Sequence, residues 1–367
     1  MVFRCKRNYE KNKLEKTSVI ICFHNEAFTA LLRSVHSVLD RSPPELLEDV
    51  ILVDDASYLD ILKKPLDDYV AQLQGKVKIV RLEKRSGLIQ ARLKGAEAAK
   101  APILTFLDSH IECLPGWLEP LLYAIHENNK TVIAPVIVSI KDDTLAVNYV
   151  PLKSVQVGGF TWNLVFNWHY PPKRDLERPD APFSPISTPT IAGGLFSIHR
   201  NFFDDLGRYD PQFEVWGAEN LELSFKTWMC HGRLVVAPCS QVGHIFRSRS
   251  PYKWEANHKS PLAWNNARLA EVVLGEYKRF YFVNGNKAEF GDVSDRKAIL
   301  QKLNCHDFKW YLNNIYPEKF DPSKSLIIGR IRNPTSNLCL DADHKATKIS
   351  VYPCHKLGGN QVSESVS

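Results

Sequence analysis

Asp108-Ser109-His110 sets a carboxylate and an imidazole two positions apart, directly after the apolar run Ile103-Leu104-Thr105-Phe106-Leu107. The run reads as a buried strand. In extended backbone residues i and i+2 point to the same side, so both side chains can reach one cation. One oxygen and one nitrogen ligand, with no thiolate nearby in sequence, suit a borderline-hard divalent ion such as Mn²⁺ better than a structural zinc. Such a site needs further ligands, and His244 in Val242-Gly243-His244-Ile245 is the best remaining candidate. The plainer alternative for the triplet is a helix-capping aspartate beside a surface histidine.

Other residues offer complementary chemistry. Asp54-Asp55 ends the apolar run Val50–Val53, an acidic pair suited to hydrogen-bonding a ribose or a base, while Arg85 can meet a phosphate. A turn with a helix cap is the other reading of the pair. The segment from Phe160 and Trp162 through Trp168 and Tyr170 is rich in aromatics, which hold sugars or extended peptides in a groove or else fill a second core. Ala192-Gly193-Gly194 lets backbone approach a ligand closely. Val215-Trp216-Gly217-Ala218-Glu219-Asn220 is a tight turn into a helix, where Glu219 can serve the helix dipole. The polar and aromatic mix from Arg247 to Lys259, with Tyr252 inside it, suits a mobile lid.

These side chains need a frame. From Thr17 apolar runs at 18–23, 50–53, 77–82, 103–107 and 131–138 alternate with helical patterns at 27–39, 61–73, 88–99 and about 117–126. That alternation indicates βαβ units and an α/β fold with a parallel sheet. His24, Glu26, Asp54, Asp55, Arg85 and Asp108 then all follow the carboxyl ends of strands, the edge at which open α/β sheets bind ligands. There is no G-x-G-x-x-G after the first strand and no Walker lysine, which disfavours a dinucleotide dehydrogenase or a P-loop enzyme. Proline-rich Tyr170–Pro189 reads as loop, 261–311 as helical, and the residues after Asp321-Pro322-Ser323 as short β-like runs.

Bulk properties bound the rest. The 367 residues are 44% hydrophobic and 24% charged, an ordinary globular composition for about two domains. The net charge of +6 is mild and scattered, which argues weakly for an anionic small ligand and gives no support for nucleic acid. No stretch reaches the roughly 18 apolar residues of a membrane span, and Met1–Lys16 is too charged for a signal peptide. Eight cysteines without a C-x-x-C pair suit disulfides in an oxidising compartment, with reduced cytosolic thiols as the alternative.

Five segments, TSVIICFHNE at 17–26, LDSHIE at 107–112, IAGGLF at 191–196, VWGAENLELSF at 215–225 and VGHIFRSRSPY at 242–252, occur in order. Together they resemble the polypeptide N-acetylgalactosaminyltransferases, which begin mucin-type O-glycosylation. The resemblance implies residues 1–16 as a stem remnant, a GT-A-type nucleotide-sugar-binding α/β domain over 17–320, and the first lobe of a ricin-type β-trefoil lectin over 321–367. It implies Asp108, His110 and His244 as Mn²⁺ ligands, Asp108, His110 and Glu219 as the catalytic set, and Asp54, Asp55, Arg85, Ser109, Arg247 and Tyr252 as donor-nucleotide contacts. Gly193, Gly194, Trp216, Asn220, Phe160 and Trp162 match substrate positions. The implied reaction moves GalNAc from UDP-GalNAc to Ser or Thr hydroxyls of proteins with retention, in the Golgi lumen. Glu219 is either a direct participant or a bystander to a front-face displacement in which the departing phosphate accepts the proton. The same likeness pairs Cys5 with Cys239, Cys230 with Cys305 and Cys339 with Cys354, leaving Cys22 and Cys113 free.

The chain also departs from the pattern. Ala218 replaces the second glycine of W-G-G-E-N, a change that is costly if that backbone has positive φ. Cys22 stands where a threonine is common, Ser250 where a histidine often lies, and Lys253–Ala256 lacks the T-F-P-G run. On the resemblance, we expect one trefoil lobe and no membrane anchor within these 367 residues. The altered lid and the single expected lobe favour the competing expectation, a non-catalytic binding or regulatory protein on the same fold.

Overall fold

The computed structural model describes residues 5, 9, 11–73, 75–178, 181, 183–246, 258, 260–283, 289–325, 327–329, 331–342, 348–354, 361 and 363–365. Strands β1 (Thr17–Phe23), β2 (Leu47–Asp54), β3 (Val77–Arg81) and β4 (Ile103–Leu107) alternate with helices α1 (Phe28–Arg41), α2 (Lys64–Val70) and α3 (Leu88–Ala98). β1 pairs in parallel with β2 and with β4, and β2 with β3, giving the order β4-β1-β2-β3. The chain winds outward from β1 to β3 and then returns to the other side of β1. The switch in strand order therefore falls between β1 and β4, where the His24–Glu26 and Asp108–His110 loops emerge side by side. All seven residues of β1 and all five of β4 are buried, as expected for strands covered on both faces. Alternate residues of β1 feed opposite cores: Val19 and Ile21 join Leu31 and Val35 of α1, while Ile20 and Cys22 join Ile89 of α3.

The second half completes the sheet. β5 (Ile111–Cys113), α4 (Glu119–Glu127), β6 (Thr131–Ile140), β7 (Val147–Asn148), β8 (Val157–Phe160), β9 (Phe166–His169), α5 (Lys173–Leu176), β10 (Ile186–Ser187), β11 (Phe196–His199), α6 (Arg200–Asp205), α7 (Glu219–Met229) and β12 (Arg233–Ile245) follow in order. β11 is wedged antiparallel between β4 and β6, and β12 runs parallel to β6. β12 also pairs antiparallel with β5, placing His244 opposite Ile111 and hence beside His110. One expectation needs correcting: Tyr170–Pro189 is not all loop, because it contains α5 and β10. Within β12, Pro238 sits at a register shift between Ala237 and Gln241, a place where its missing N–H does no harm.

Helices α8 (Pro261–Val273), α9 (Lys278–Val283), α10 (Ser294–Lys302) and α11 (Phe308–Asn314) follow. Of the aromatics of the middle segment, Phe160 and Trp162 pack against this region, whereas Trp168 and Tyr170 stay exposed. Phe160 is fully buried, with ring contacts to Phe225, Phe308 and Tyr316. Beyond Asp321, β13 (Ile327–Gly329) pairs with β17 (Ser363–Ser365), while β14 (Arg332–Asn333), β15 (Leu338–Ala342) and β16 (Ile349–Pro353) form an antiparallel sheet. Disulfides join Cys5 to Cys239, Cys230 to Cys305 and Cys339 to Cys354, and Cys22 and Cys113 are free and buried. Among the described residues no helix is long and apolar enough to cross a membrane.

Candidate active site

β4 stops at Leu107, so Asp108-Ser109-His110 is a bend rather than a continuing strand; β5 starts only at Ile111. The bend and the β5–β12 register together achieve what the extended reading anticipated. Asp108, His110 and His244 each offer a ligand atom, all within 4.8 Å of one another. His244 Nε2 lies 3.2 Å from Asp108 Oδ2, and the two imidazole centroids are 4.7 Å apart. His244 Nδ1 is buried with no hydrogen-bond partner among the described residues. One carboxylate and two imidazoles converging in this way fit a borderline divalent cation.

The surroundings hold Asp108 ready. Burial works to raise its pKa, but the His244 hydrogen bond, Arg92 and His110 keep the carboxyl well below the usual carboxylate range. Gly194 is required by close approach, since a Cβ there would sit 2.4 Å from Asp108 Oδ2. Gly193 similarly lies against Asn220, whose amide donates to the Ile191 carbonyl at 3.0 Å and ties this segment to α7. Ser109 donates to Glu26 at 2.8 Å, and His110 Nδ1 meets the same carboxylate oxygen at 2.8 Å.

Beneath Asp108 lies Arg92, 1% exposed. Its guanidinium is 3.4 Å from Asp108 Oδ1 and 3.8 Å from Glu219 Oε1, so one buried cation serves both acids. Burial acts against that charge, but Tyr209, Asp108 and Glu219 outweigh it. Sequence reading did not single out Arg92. Its signal was a charge on the face of α3 that also buries Ile89 and Ala96, three residues before it and four after. Cys22 sits on the same side of β1, where burial pushes its thiol up to about 12.

Asp54 and Asp55 part company. Asp54 is 1% exposed, accepts from the Ser57 N–H at 2.7 Å and pairs with Arg81. It cannot reach a nucleotide without breaking these contacts, so the turn-and-cap alternative describes it. Asp55 accepts from the N–H groups of Ser86 and Gly87 at 2.6 and 2.9 Å and faces Arg85 Nη1 at 3.2 Å, which folds the Arg85–Gly87 loop over the sheet edge. Gly87, at φ +88°, touches Val215: a Cβ would lie 2.4 Å from its Cα, and the Leu88 N–H donates to the Val215 carbonyl at 2.7 Å.

That contact braces the turn before α7. Val215, Gly217 and Ala218 have φ of 53°, 100° and 70°. The cost foreseen for Ala218 therefore applies, and Val215 carries the same strain as a β-branched residue. Buried Asn265 of α8 holds the turn by donating to the carbonyls of Glu214 at 2.8 Å and Gly217 at 3.0 Å. Trp216 is 43% exposed at the mouth, whereas Glu219 is 3% exposed and accepts from the Gly217 N–H at 2.8 Å. Burial lifts the Glu219 pKa above its ordinary value, against the pull of Arg92.

Phe160 is a correction, because a fully buried ring cannot meet a substrate. Trp162 is half-buried, stacked on Tyr277 at 5.8 Å, and donates to the Phe320 carbonyl at 3.1 Å, so it supports the end of the domain. Arg247 and Tyr252 lie outside the described residues. Sequence reading also missed Phe246, 56% exposed with its ring 4.6 Å from that of His244. It borders a cleft of about 350 Å³ walled by Tyr149, Trp168, Ala192, Leu195 and Val136.

A family profile described as Glycosyl transferase family 2 matches residues 18–203. Polypeptide N-acetylgalactosaminyltransferase 5 of Caenorhabditis elegans is 51% identical over 365 residues, covering 97% of this chain and 58% of that protein. Putative polypeptide N-acetylgalactosaminyltransferase 9 of Drosophila melanogaster is 54% identical over 356 residues, covering 95% and 54%. The chain thus spans little more than half the length of these curated relatives. A crystal structure of GalNAc-T7 with UDP, GalNAc and Mn²⁺ superposes with a TM-score of 0.83 at 34% identity, covering 99% of this chain and 69% of that one. With the described parts of the five sequence segments around one switch point and a whole-chain match of this quality, the chain belongs to the polypeptide N-acetylgalactosaminyltransferase family.

Proposed function

We propose that this chain is a retaining, Mn²⁺-dependent glycosyltransferase that moves GalNAc from UDP-GalNAc to Ser or Thr hydroxyls of proteins, in the Golgi lumen as its family membership suggests. The observation that carries the reading is the convergence of Asp108, His110 and His244 at the switch in strand order. These three residues would hold Mn²⁺, which when bound neutralises the negative charge of a departing diphosphate. Asp108 stays ionised for this task because the His244 hydrogen bond, Arg92 and His110 outweigh its burial. The Asp55-organised loop brings Arg85 to the carboxyl edge on the donor side. Trp216 covers the mouth from the α7 side, and the apolar cleft beside Phe246 suits an extended acceptor peptide.

The burial of Glu219 bears on the mechanism. A carboxylate turned back onto the Gly217 N–H and balanced by Arg92 is poorly placed to attack a sugar or to take a proton from an acceptor. This supports the front-face displacement, in which the acceptor proton leaves with the phosphate. We read residues 321–367 as the opening lobe of a β-trefoil, on the strength of the small antiparallel sheet closed by Cys339–Cys354.

The test is incubation with UDP-GalNAc, Mn²⁺ and Ser/Thr-rich peptides, read as a HexNAc mass increment. Addition should fall at least about 100-fold in Asp108→Ala, since loss of a supporting residue alone costs ~10–100-fold at metal sites, and should stop in EDTA. UDP binding without addition would favour the second reading, a nucleotide-binding member without transfer, to which the strained Ala218 gives specific support.

A further inference from the structure

Glu26 has no part in the reaction described above, yet its carboxylate organises the metal-facing side from the opposite strand. Oε2 accepts from Ser109 Oγ at 2.8 Å and lies 2.8 Å from His110 Nδ1, while Oε1 accepts from the Ala27 N–H at 3.0 Å. Glu26 is 7% exposed, and it comes from the loop after β1, across the strand-order switch from Asp108. A carboxylate accepts but cannot donate when ionised, so its contact with neutral His110 requires the ring proton on Nδ1. That leaves the lone pair on Nε2, the atom a cation would use.

We propose that Glu26 is a positioning residue that fixes the tautomer and ring orientation of His110, and so sets the affinity of the Asp108–His110–His244 site for a divalent cation. The proposal rests on that trio being the metal site. Such supporting carboxylates commonly contribute a factor of ~10–100 to metal affinity. Ser109, assigned from sequence to the nucleotide, is on this reading a second tether of the same carboxylate and only an indirect contributor.

Two measurements on the full chain test it, neither of which depends on transfer. Titrating Mn²⁺ with UDP present and following the free-ion paramagnetic resonance signal gives the affinity. Glu26→Ala should weaken it ~10–100-fold, whereas Glu26→Gln, whose amide oxygen can still accept from Nδ1–H, should lose less than about five-fold. Affinity in Glu26→Ala within two-fold of the parent overturns the proposal. Asp108→Ala in the same titration separates the two readings: if it too leaves binding unchanged, the metal site itself is misassigned. Long-range ¹⁵N–¹H correlation on ¹⁵N-histidine-labelled, metal-free protein near pH 8, with His110 assigned through His110→Gln, gives the tautomer directly. Nδ1–H in the parent supports the proposal and Nε2–H overturns it, which decides the matter even if Glu26→Ala does not fold.

Discussion

Asp108 and Glu219 both present a carboxylate to Arg92, but from walls that are built differently. Asp108 follows β4 on a bend with no positive-φ residue, and its position descends from the sheet: the β1–β4 register, the β5–β12 pairing and the flat backbone of Gly194. Glu219 follows a turn in which three of the four preceding residues have positive φ, kept in place by Gly87, Leu88 and Asn265 from other elements. The first wall is shaped by strand pairing and holds its acid charged. The second is over-determined by its neighbours, stores strain and raises the pKa of its acid. Geometry on the Asp108 side is therefore insensitive to distant packing, whereas the Trp216 side depends on α8 and on the loop after β3.

Removing the shared cation should give the largest effect. Arg92→Met leaves buried Glu219 without a cation and Asp108 with only its two histidines, and equilibrium urea unfolding should register a loss of about 3–5 kcal/mol. A loss under about 1 kcal/mol would mean that the two walls are electrostatically independent. Glu219→Gln probes the second wall alone, and its effect should depend on pH. A folded-state pKa above the unfolded value favours folding most below about 4.3, and that contribution is lost as pH rises through the folded value. Glutamine does not titrate, so the variant should gain stability relative to the parent as pH rises from 4 to 8. A difference that stays flat, or shrinks with pH, contradicts a raised pKa. The smallest effect belongs to Ala218→Gly, which should stabilise by up to about 1 kcal/mol through relief of the left-handed conformation. No gain would show that the neighbours of the turn, rather than its residues, set its cost.

The strand-built wall was also the more legible one in the sequence. Apolar runs ending in acidic or imidazole side chains announced β1, β2 and β4, and the i, i+2 spacing of Asp108 and His110 after β4 pointed to a shared cation. Adjacent acids were harder, because consecutive residues face opposite ways. Nothing local said that Asp54 would pair with Arg81 while Asp55 organised the next loop. Phe160 misled for a different reason: an aromatic run has the same pattern in a groove or a core. The rings that bury it, Phe225, Phe308 and Tyr316, arrive from far along the chain. Arg92 was hidden by resembling the exposed arginines common on helices, and only its place on the apolar face set it apart.

The Cys5–Cys239 bridge spans a sequence separation of 234 residues and lands within β12. A pull between the two ends of the chain therefore crosses that bond to Cys239, runs back along β12 to Cys230 and leaves through the Cys230–Cys305 bridge. Asp108 and His110 lie between Cys5 and Cys230, and His244 lies between Cys239 and Cys305, so all three stand off the line of force. The two bridges together route covalent load around the whole trio rather than through any one of its members.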